Sequence, residues 1–240
     1  MADTLSSAID APALHAGIPL VVSANEFRSK GRTQVPTVLA RDSALRLYRE
    51  LQRETRWTVT FNERGKQCEV ERCDPESRAQ LIRAAWERAR DRFQFIYDRH
   101  DLSMNRAPYR DRGHYFSELV RFLNAPEFLG AARRITGMTE IAWADAQATL
   151  YRPGDFLTLH DDGIGGTKRL AAYVLSMTPD WRADWGGLLL FFDGKGNVTE
   201  GYTPAFNVLN VFRVPAKHAV TLVAPFGGMR YSVTGWLHAN

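Results

Sequence analysis

The chain has 240 residues, of which 45% are hydrophobic and 24% charged, and its formal net charge at pH 7 is +4. This composition is ordinary for a globular protein with one large domain or two small ones, and no stretch approaches the roughly 18 consecutive apolar residues of a membrane span. The arginines are scattered along the chain instead of forming a dense run, so a nucleic-acid partner is permitted but not favoured.

The two cysteines, Cys68 and Cys73, are spaced neither as a Cys-x-x-Cys redox pair nor as a zinc knuckle. We therefore expect ordinary reduced thiols. The first ten residues contain neither a basic leader nor a continuous apolar core, so a cytoplasmic location without membrane association is expected.

Residues 1–24 mix small, polar and proline residues and are predicted to form a flexible arm, in which Ile18–Val22 could be a short edge strand. After the arm, Asp42 is predicted to cap a helix with one apolar face. The other elements predicted in this region are a strand at Thr33–Leu39, a strand at Trp57–Phe61 and a turn at Asn62–Lys66.

A longer helix is predicted to begin at Asp74-Pro75-Glu76, where a capping carboxylate precedes a first-turn proline. Its apolar residues repeat at helical spacing as far as Ile96, which is typical of a helix packed on a sheet. Ser103–Gly113 is polar and rich in arginine and is predicted to be a loop. Two shorter helices are predicted at Ser117–Leu123 and Pro126–Ile135, the second ending near Gly137.

After Gly137 the chain consists of short apolar or alternating runs separated by Gly, Pro, Asp and Asn. Such runs predict an all-β sandwich or barrel on which the earlier helices pack. We expect one domain over residues 25–240, with helical support at 40–136 and a β core at about 140–240. The predicted strands are Ile141–Leu150, Phe156–His160, Leu170–Met177, Gly187–Phe192, Val208–Val214, Ala219–Val223 and Arg230–Leu237.

The main chemical motif is His160-Asp161-Asp162, at the end of a predicted strand. Residues two apart on a strand project from one face, so His160 and Asp162 could bind one metal ion while Asp161 points away. His218 follows 56 residues later, and two imidazoles with one carboxylate form the facial set of non-haem Fe(II) oxygenases. The alternative is a chance His-x-Asp pair and a histidine that only serves the core.

Arg230 lies 12 residues beyond His218, on the last predicted strand. A guanidinium buried in a barrel needs an anion, and a dicarboxylic cosubstrate would supply one through a bidentate pair. A structural ion pair is the alternative, and Tyr151 could likewise be only an aromatic residue of the barrel.

With these motifs, residues 140–240 resemble the Fe(II)/2-oxoglutarate-dependent dioxygenases, whose signature is His-x-Asp, a distal His and a following Arg or Lys. More narrowly, three segments resemble the prolyl hydroxylase branch, particularly the group that includes the ribosomal-protein prolyl hydroxylases: Arg169–Trp181, Trp185–Phe192 and Arg230–His238. The N-terminal helices agree only in general pattern. The resemblance implies a double-stranded β-helix, or jelly roll, with N-terminal supporting helices, which is a mainly β fold of the α+β class.

The resemblance also implies a role for each site residue. The iron ligands would be His160, Asp162 and His218, and Arg230 would bind the distal carboxylate of 2-oxoglutarate. Three further residues would serve that cosubstrate: Tyr151 beside it, Trp236 lining its pocket and Ser232 assisting the arginine. Ser176 departs from the pattern, because prolyl hydroxylases often have there a tyrosine that hydrogen-bonds the cosubstrate.

The expected cofactors are Fe(II), 2-oxoglutarate and O2, with ascorbate as a candidate reductant and succinate and CO2 as products. The expected reaction is hydroxylation of a prolyl residue in a protein or of a proline-like small molecule. Since halogenases of this superfamily lack the carboxylate ligand, Asp162 favours hydroxylation. The alternatives are a dioxygenase acting on another small molecule or an alkylated base, and a non-catalytic jelly-roll binding module.

Overall fold

A curved antiparallel sheet lies at the centre of the molecule in a computed structural model, which describes residues 11–102, 115–163 and 168–240. The helices are α1 (Leu20–Lys30), α2 (Arg41–Arg49), α3 (Pro75–Arg88), α4 (Tyr115–Leu123) and α5 (Pro126–Thr136). The strands are β1 (Arg32–Pro36), β2 (Thr58–Glu63), β3 (Lys66–Glu71), β4 (Phe95–Asp101), β5 (Trp143–Ala144), β6 (Gln147–Tyr151), β7 (Phe156–His160), β8 (Arg169–Met177), β9 (Leu189–Phe192), β10 (Val198–Tyr202), β11 (Phe206–Arg213), β12 (His218–Val220) and β13 (Arg230–His238).

The strand order is β1-β11-β8-β13-β6-β4-β7-β12-β9-β10, with β2, β3 and β5 attached beside this path. Strand β4 joins the two halves of the sheet, because Asp98–Asp101 pair with β6 while Phe95–Ile96 pair with β7. The two ends of the path also meet. Arg32 of β1 donates from Nε to Glu200 of β10 at 2.5 Å. The sheet therefore curls back on itself around an interior.

The main core lies between the helices and one face of the sheet. On β8, Tyr173 and Leu175 belong to this core with Phe116 of α4, whereas Ala172 and Val174 face the interior of the curl. This alternation is what a strand with both faces buried requires. The predicted mainly β architecture with packed helices is confirmed.

Several predicted boundaries are confirmed in detail. Asp74 caps α3, since its Oδ1 accepts the backbone N–H of Ser77 at 3.0 Å and Pro75 occupies the first turn. Helix α5 ends at Gly137, whose φ of 71° lies in the left-handed region that glycine adopts without strain. The hairpin β2–β3 turns at Arg64 and Gly65, within the predicted turn.

The N-terminal predictions were partly wrong. Ile18–Val22 is not a strand, because α1 begins at Leu20 and exposes Val21 and Val22 while burying Phe27. The predicted arm is too long, since Leu14 bridges to Leu39 and residues 20–24 lie in α1. Asp42 does not cap α2: the N-cap is Ala40, without a side-chain cap bond, and Asp42 lies in the first turn.

The prediction that the longer helix extends to Ile96 was also wrong. Helix α3 stops at Arg88 and β4 begins at Phe95. Ile96 fits the helical period, but Phe93, Phe95 and Tyr97 repeat at the strand period of two, and the strand pattern is the one realised. Strands β3 and β10 were not predicted, because their sequences are mostly polar.

The division into an arm and one domain over residues 25–240 otherwise stays a prediction. The predicted loop Ser103–Gly113 and residues 1–10 lie outside the described residues. Among the described helices, none has the length and apolar character needed to cross a membrane.

Two glycine substitutions should have opposite effects on stability. A Cβ at Gly235 of β13 would lie 2.1 Å from the carbonyl oxygen of Asp145, whereas a Cβ at Gly130 of α5 would meet nothing within 4 Å. We expect Gly235→Ala to lower the free energy of unfolding by about 2 to 3 kcal/mol through overpacking. Gly130→Ala should raise it by about 0.5 kcal/mol because alanine favours the helix. Urea unfolding checks both, and a Gly235→Ala protein as stable as the parent would contradict the packing.

The contact between the two ends of the sheet should depend on pH. Burial raises the pKa of Glu200, but the hydrogen bonds and charges of Arg32 and Lys30 outweigh it and hold the pKa below its ordinary value. A lowered folded-state pKa gives stability above the unfolded pKa and loses it as the pH falls through the folded pKa. Glu200→Gln should therefore lower the free energy of unfolding at pH 7, by about 1 kcal/mol, and have little effect at pH 3.

The control is Asp184→Asn, which removes an ion pair with Arg182 whose two side chains are mostly exposed. Urea unfolding of this variant should match the parent at both pH values, because exposed pairs are screened. An equal loss of stability in the Glu200 variant at pH 3 and pH 7 would exclude an electrostatic origin.

Candidate active site

The curl of the sheet encloses a cavity of about 370 Å³. Both halves of the sheet contribute to its wall, since β7, β9 and β12 lie on one side and β6, β8 and β13 on the other. Six of the seven predicted site residues, all but Ser232, border it: Tyr151, His160, Asp162, His218, Arg230 and Trp236.

Three predicted ligands meet at one end of this cavity. His160 ends β7 and His218 begins β12, and the two residues are paired across these neighbouring strands. Asp162 lies two residues beyond β7, with Oδ1 3.5 Å from Nε2 of His160 and Oδ2 3.5 Å from Nε2 of His218. The three donor atoms lie within 4.8 Å of one another, close enough to bind a single ion.

Backbone carbonyls fix the orientation of both imidazoles. Nδ1 of His160 donates to the carbonyl of Thr158 at 3.0 Å, and Nδ1 of His218 donates to that of Ala216 at 2.7 Å. A carbonyl can only accept, so each Nδ1 carries the proton and each Nε2 offers its lone pair to the shared point. Metal-binding histidines are usually held by such bonds.

The protonation states also suit a metal. Burial, followed by the charge of His160, lowers the pKa of His218 to about 4, so its imidazole is neutral at pH 7. Burial raises the pKa of Asp162, but the interactions of its carboxylate with His160 and His218 outweigh this effect and keep the pKa below its ordinary value. Two imidazole nitrogens and one carboxylate fit a divalent transition metal with coordination positions left open.

Arg230 lies in the same cavity and is 3% exposed. Its Nε has no hydrogen-bond partner among the described residues, and no described carboxylate forms an ion pair with it. Its guanidinium lies 4.9 Å from the centre of the Tyr151 ring. A buried cation without an anion is costly, so this end of the cavity fits a ligand carboxylate.

Sequence reasoning missed one wall of the cavity. Tyr97 of β4 stacks on Tyr151 of β6 at 4.9 Å between ring centres, and Phe95 and Phe93 continue the wall to His160. Burial raises the pKa of both tyrosines, so they remain neutral phenols. The alternation of Phe93, Phe95 and Tyr97 was the available signal, but it was assigned to a helix.

The remaining predicted residues lie nearby. The Ser232 hydroxyl is 2.8 Å from Oγ1 of Thr149, which borders the cavity. The Arg169 guanidinium stacks 3.6 Å from the centre of the Trp236 ring. Ser176, which departs from the family pattern, accepts the N–H of Ala205 at 3.1 Å. The roles assigned to Ser232 and Trp236, like those of the other predicted site residues, stay predictions.

Comparison with known proteins agrees with this geometry. Residues 146–238 match the family model of the 2OG-Fe(II) oxygenase superfamily. A "Prolyl 3-hydroxylase OGFOD1" of Xenopus laevis is 34% identical over 101 residues, which cover 39% of this chain and 19% of that protein. A "Prolyl 3,4-dihydroxylase OGFOD1" of Ostreococcus tauri is 28% identical over 160 residues, which cover 60% of this chain and 31% of that protein. The matches thus span less than a third of these relatives.

Solved structures show the same fold. A Pseudomonas putida prolyl-4-hydroxylase superposes with a TM-score of 0.57 at 18% identity, covering 92% of this chain and 99% of that one. A Trichoplax adhaerens prolyl hydroxylase in complex with a hypoxia inducible factor peptide gives 0.60 at 15% identity, covering 92% and 90%. The predicted jelly-roll fold is confirmed.

Two adjacent aspartates provide a matched test of the ligand set. Asp162 lies between the two histidines, whereas Asp161 is exposed and its Oδ1 accepts the N–H of Gly163 at 3.0 Å. We expect Asp162→Ala to weaken Mn(II) binding by more than about 10-fold, the lower end of the cost of losing an outer-shell partner. Asp161→Ala should bind like the parent. Calorimetric titration measures both, and equal losses would contradict the assignment.

Proposed function

We propose that this protein, whose residues 146–238 match the family model of the 2OG-Fe(II) oxygenase superfamily, is an Fe(II)- and 2-oxoglutarate-dependent dioxygenase that hydroxylates a prolyl residue in a polypeptide. The observation that carries the proposal is that the His160, Asp162 and His218 cluster borders the same cavity as the guanidinium of Arg230, which has no carboxylate partner among the described residues. A metal ion and a dicarboxylate would satisfy these two ends together.

In this proposal the three clustered side chains hold Fe(II) and Arg230 holds the distal carboxylate of 2-oxoglutarate. The bound iron supplies the oxidation, in which O2 and 2-oxoglutarate are consumed, a substrate C–H bond becomes a C–OH bond, and succinate and CO2 leave. Ascorbate is a candidate reductant for the iron.

The chain's own residues bind, orient and exclude water. Arg230 can form a bidentate pair, which fixes one end of the cosubstrate. Tyr151 lies against that guanidinium as a neutral phenol. Phe95, Leu189 and Val220 make the wall between the two ends apolar, so the polar groups act in a dry pocket.

The substrate class is supported by the relatives and by the mouth of the site. The two curated relatives and two of the solved structures carry prolyl hydroxylase names. Beside the triad lies a second hollow, of about 520 Å³, bordered by Phe93, Leu159 and Lys217. Phe93 and Leu159 are 43% and 45% exposed. Exposed apolar side chains beside the site offer a contact surface for a polypeptide substrate, whereas a small-molecule substrate would favour a closed pocket.

The direct test is succinate formation from 2-oxoglutarate with Fe(II), O2 and ascorbate. The parent and Asp161→Ala proteins should produce succinate. The rate of succinate formation by His160→Ala should be lower by more than about 100-fold, since a metal ligand is removed. Arg230→Met should raise the KM for 2-oxoglutarate at least about 10-fold, through loss of hydrogen bonds to a charged group. A parent protein without metal-dependent turnover would favour a non-catalytic jelly-roll module.

A second assay addresses the substrate. Proline-containing peptides are incubated with the active enzyme, and mass spectrometry locates any added oxygen. Oxygen on a proline that depends on His160 supports the proposal. Oxygen found only on a free amino acid, another small molecule or an alkylated base would replace the substrate class and leave the dioxygenase assignment intact.

A further inference from the structure

A cluster of four charged side chains lies on the outer side of the sheet, behind the wall of the cavity. Arg78 of α3 donates through Nη1 to Asp98 of β4, and through Nη2 to both carboxylate oxygens of Asp155, at 2.9 and 2.7 Å. Arg152 donates from Nε to the other oxygen of Asp98 at 2.5 Å. The side chains of Asp98 and Asp155 are 3% and 0% exposed, and that of Arg78 is 14% exposed.

This cluster lies where the two halves of the sheet are joined. Strand β4 pairs with β6 at Asp98 and with β7 at Ile96, so it passes from one half to the other at Tyr97. Asp155 immediately precedes β7, and its carboxylate also accepts the N–H of Arg152, just after β6, at 2.8 Å. Arg78 therefore connects β4 to the turn between β6 and β7.

The two halves carry the two ends of the site. Strands β7 and β12 carry His160 and His218, while β6 and β13 carry Tyr151 and Arg230. On the inner side of the joint, Tyr97 stacks on Tyr151, over which the guanidinium of Arg230 lies. The distance from the metal-binding end to Arg230 is thus set across the joint that Arg78 holds from outside.

We propose that Arg78 is a positioning residue that fixes the separation between the His160–Asp162–His218 cluster and Arg230, and so couples metal binding to 2-oxoglutarate binding. This inference rests on the proposed function. A 2-oxoglutarate molecule has a limited length. It can contact the metal and Arg230 at the same time, and so bind more tightly, only when the two are held at a matching distance. If the joint loosens, each end still binds its own partner, but the two events assist each other less.

An arginine suits this position because its planar fork can bond two carboxylates at once, whereas lysine offers a point charge. Burial raises the pKa of Asp155 to about 7, against the attraction of Arg78. Removal of the guanidinium would leave Asp98 and Asp155 buried with less compensation, which favours rearrangement of the joint.

The test measures the Kd of 2-oxoglutarate by calorimetry with and without Mn(II), together with the Kd of Mn(II) alone. In the parent protein, Mn(II) should tighten 2-oxoglutarate binding. In Arg78→Met the ratio between the Kd of 2-oxoglutarate without and with Mn(II) should fall at least about 10-fold, while the Kd of Mn(II) alone changes less than about twofold. Arg78→Lys should fall between parent and Arg78→Met. The matched control is Arg83→Met, which removes an exposed arginine from the same helix and should keep the parent's coupling.

Circular dichroism and urea unfolding establish that each variant is folded. If Arg78→Met does not fold, Arg78→Lys and the double variant Arg78→Met with Asp155→Asn, which removes one buried carboxylate as well, carry the same measurement. Folded Arg78 variants with lower stability but unchanged coupling would overturn the positioning role and leave the proposed function standing. A parent in which Mn(II) does not affect 2-oxoglutarate binding would contradict the proposed function itself.

Discussion

Strand β4 has to pair with β6 at one end and with β7 at the other, and the rest of the molecule is arranged around that requirement. If β4 paired with only one of β6 and β7, the sheet would remain open and the inner faces of β7 and β13 would not face each other across a cavity. Because it pairs with both, the sheet curls, β7 and β12 come to face β6 and β13, and a cavity forms between them. Helix α3 packs behind this joint and contributes Arg78. The geometry of the site is thus a property of how the sheet closes.

The interior accommodates its charges in two different ways. The ion cluster around Arg78 is satisfied within the chain, since each carboxylate meets at least one guanidinium. The cavity is not satisfied in this way: His160, Asp162 and His218 point at a common centre, and Arg230 has no anion among the described side chains. Unpaired buried charges are rare in folded proteins, because burying them costs free energy. Their presence together in one cavity therefore indicates a binding site and not a structural network.

Much of the site could be predicted from the sequence, because its chemistry depends on residue types at short spacing. The His-x-Asp spacing points to Asp162 as the inward carboxylate, although β7 ends at His160 and the φ of 59° at Asp162 is not that of a strand. The order of His218 and Arg230 along the chain completes the pattern. The aromatic wall could not be predicted in the same way. Ile96 continues the helical period of α3 while Tyr97 belongs to a strand period, and only pairing with β6 and β7 decides between them. Similarly, Val21 and Val22 favour a strand locally, but burial of Phe27 is achieved by a helix.

The contact between Arg32 and Glu200 has a consequence for colloidal behaviour. Strands β1 and β10 end the strand order, and each pairs with one strand among the described residues, so each presents an edge of backbone N–H and C=O groups. Such edges can recruit a strand from another molecule and start aggregation, and charged side chains placed on them oppose this. Arg32 of β1 and Glu200 of β10, together with Lys30 at the end of α1, put opposite charges where the two edges approach. Pairing of these edges with another molecule would have to separate the charges. The contact that closes the curl therefore also opposes aggregation through the two edge strands.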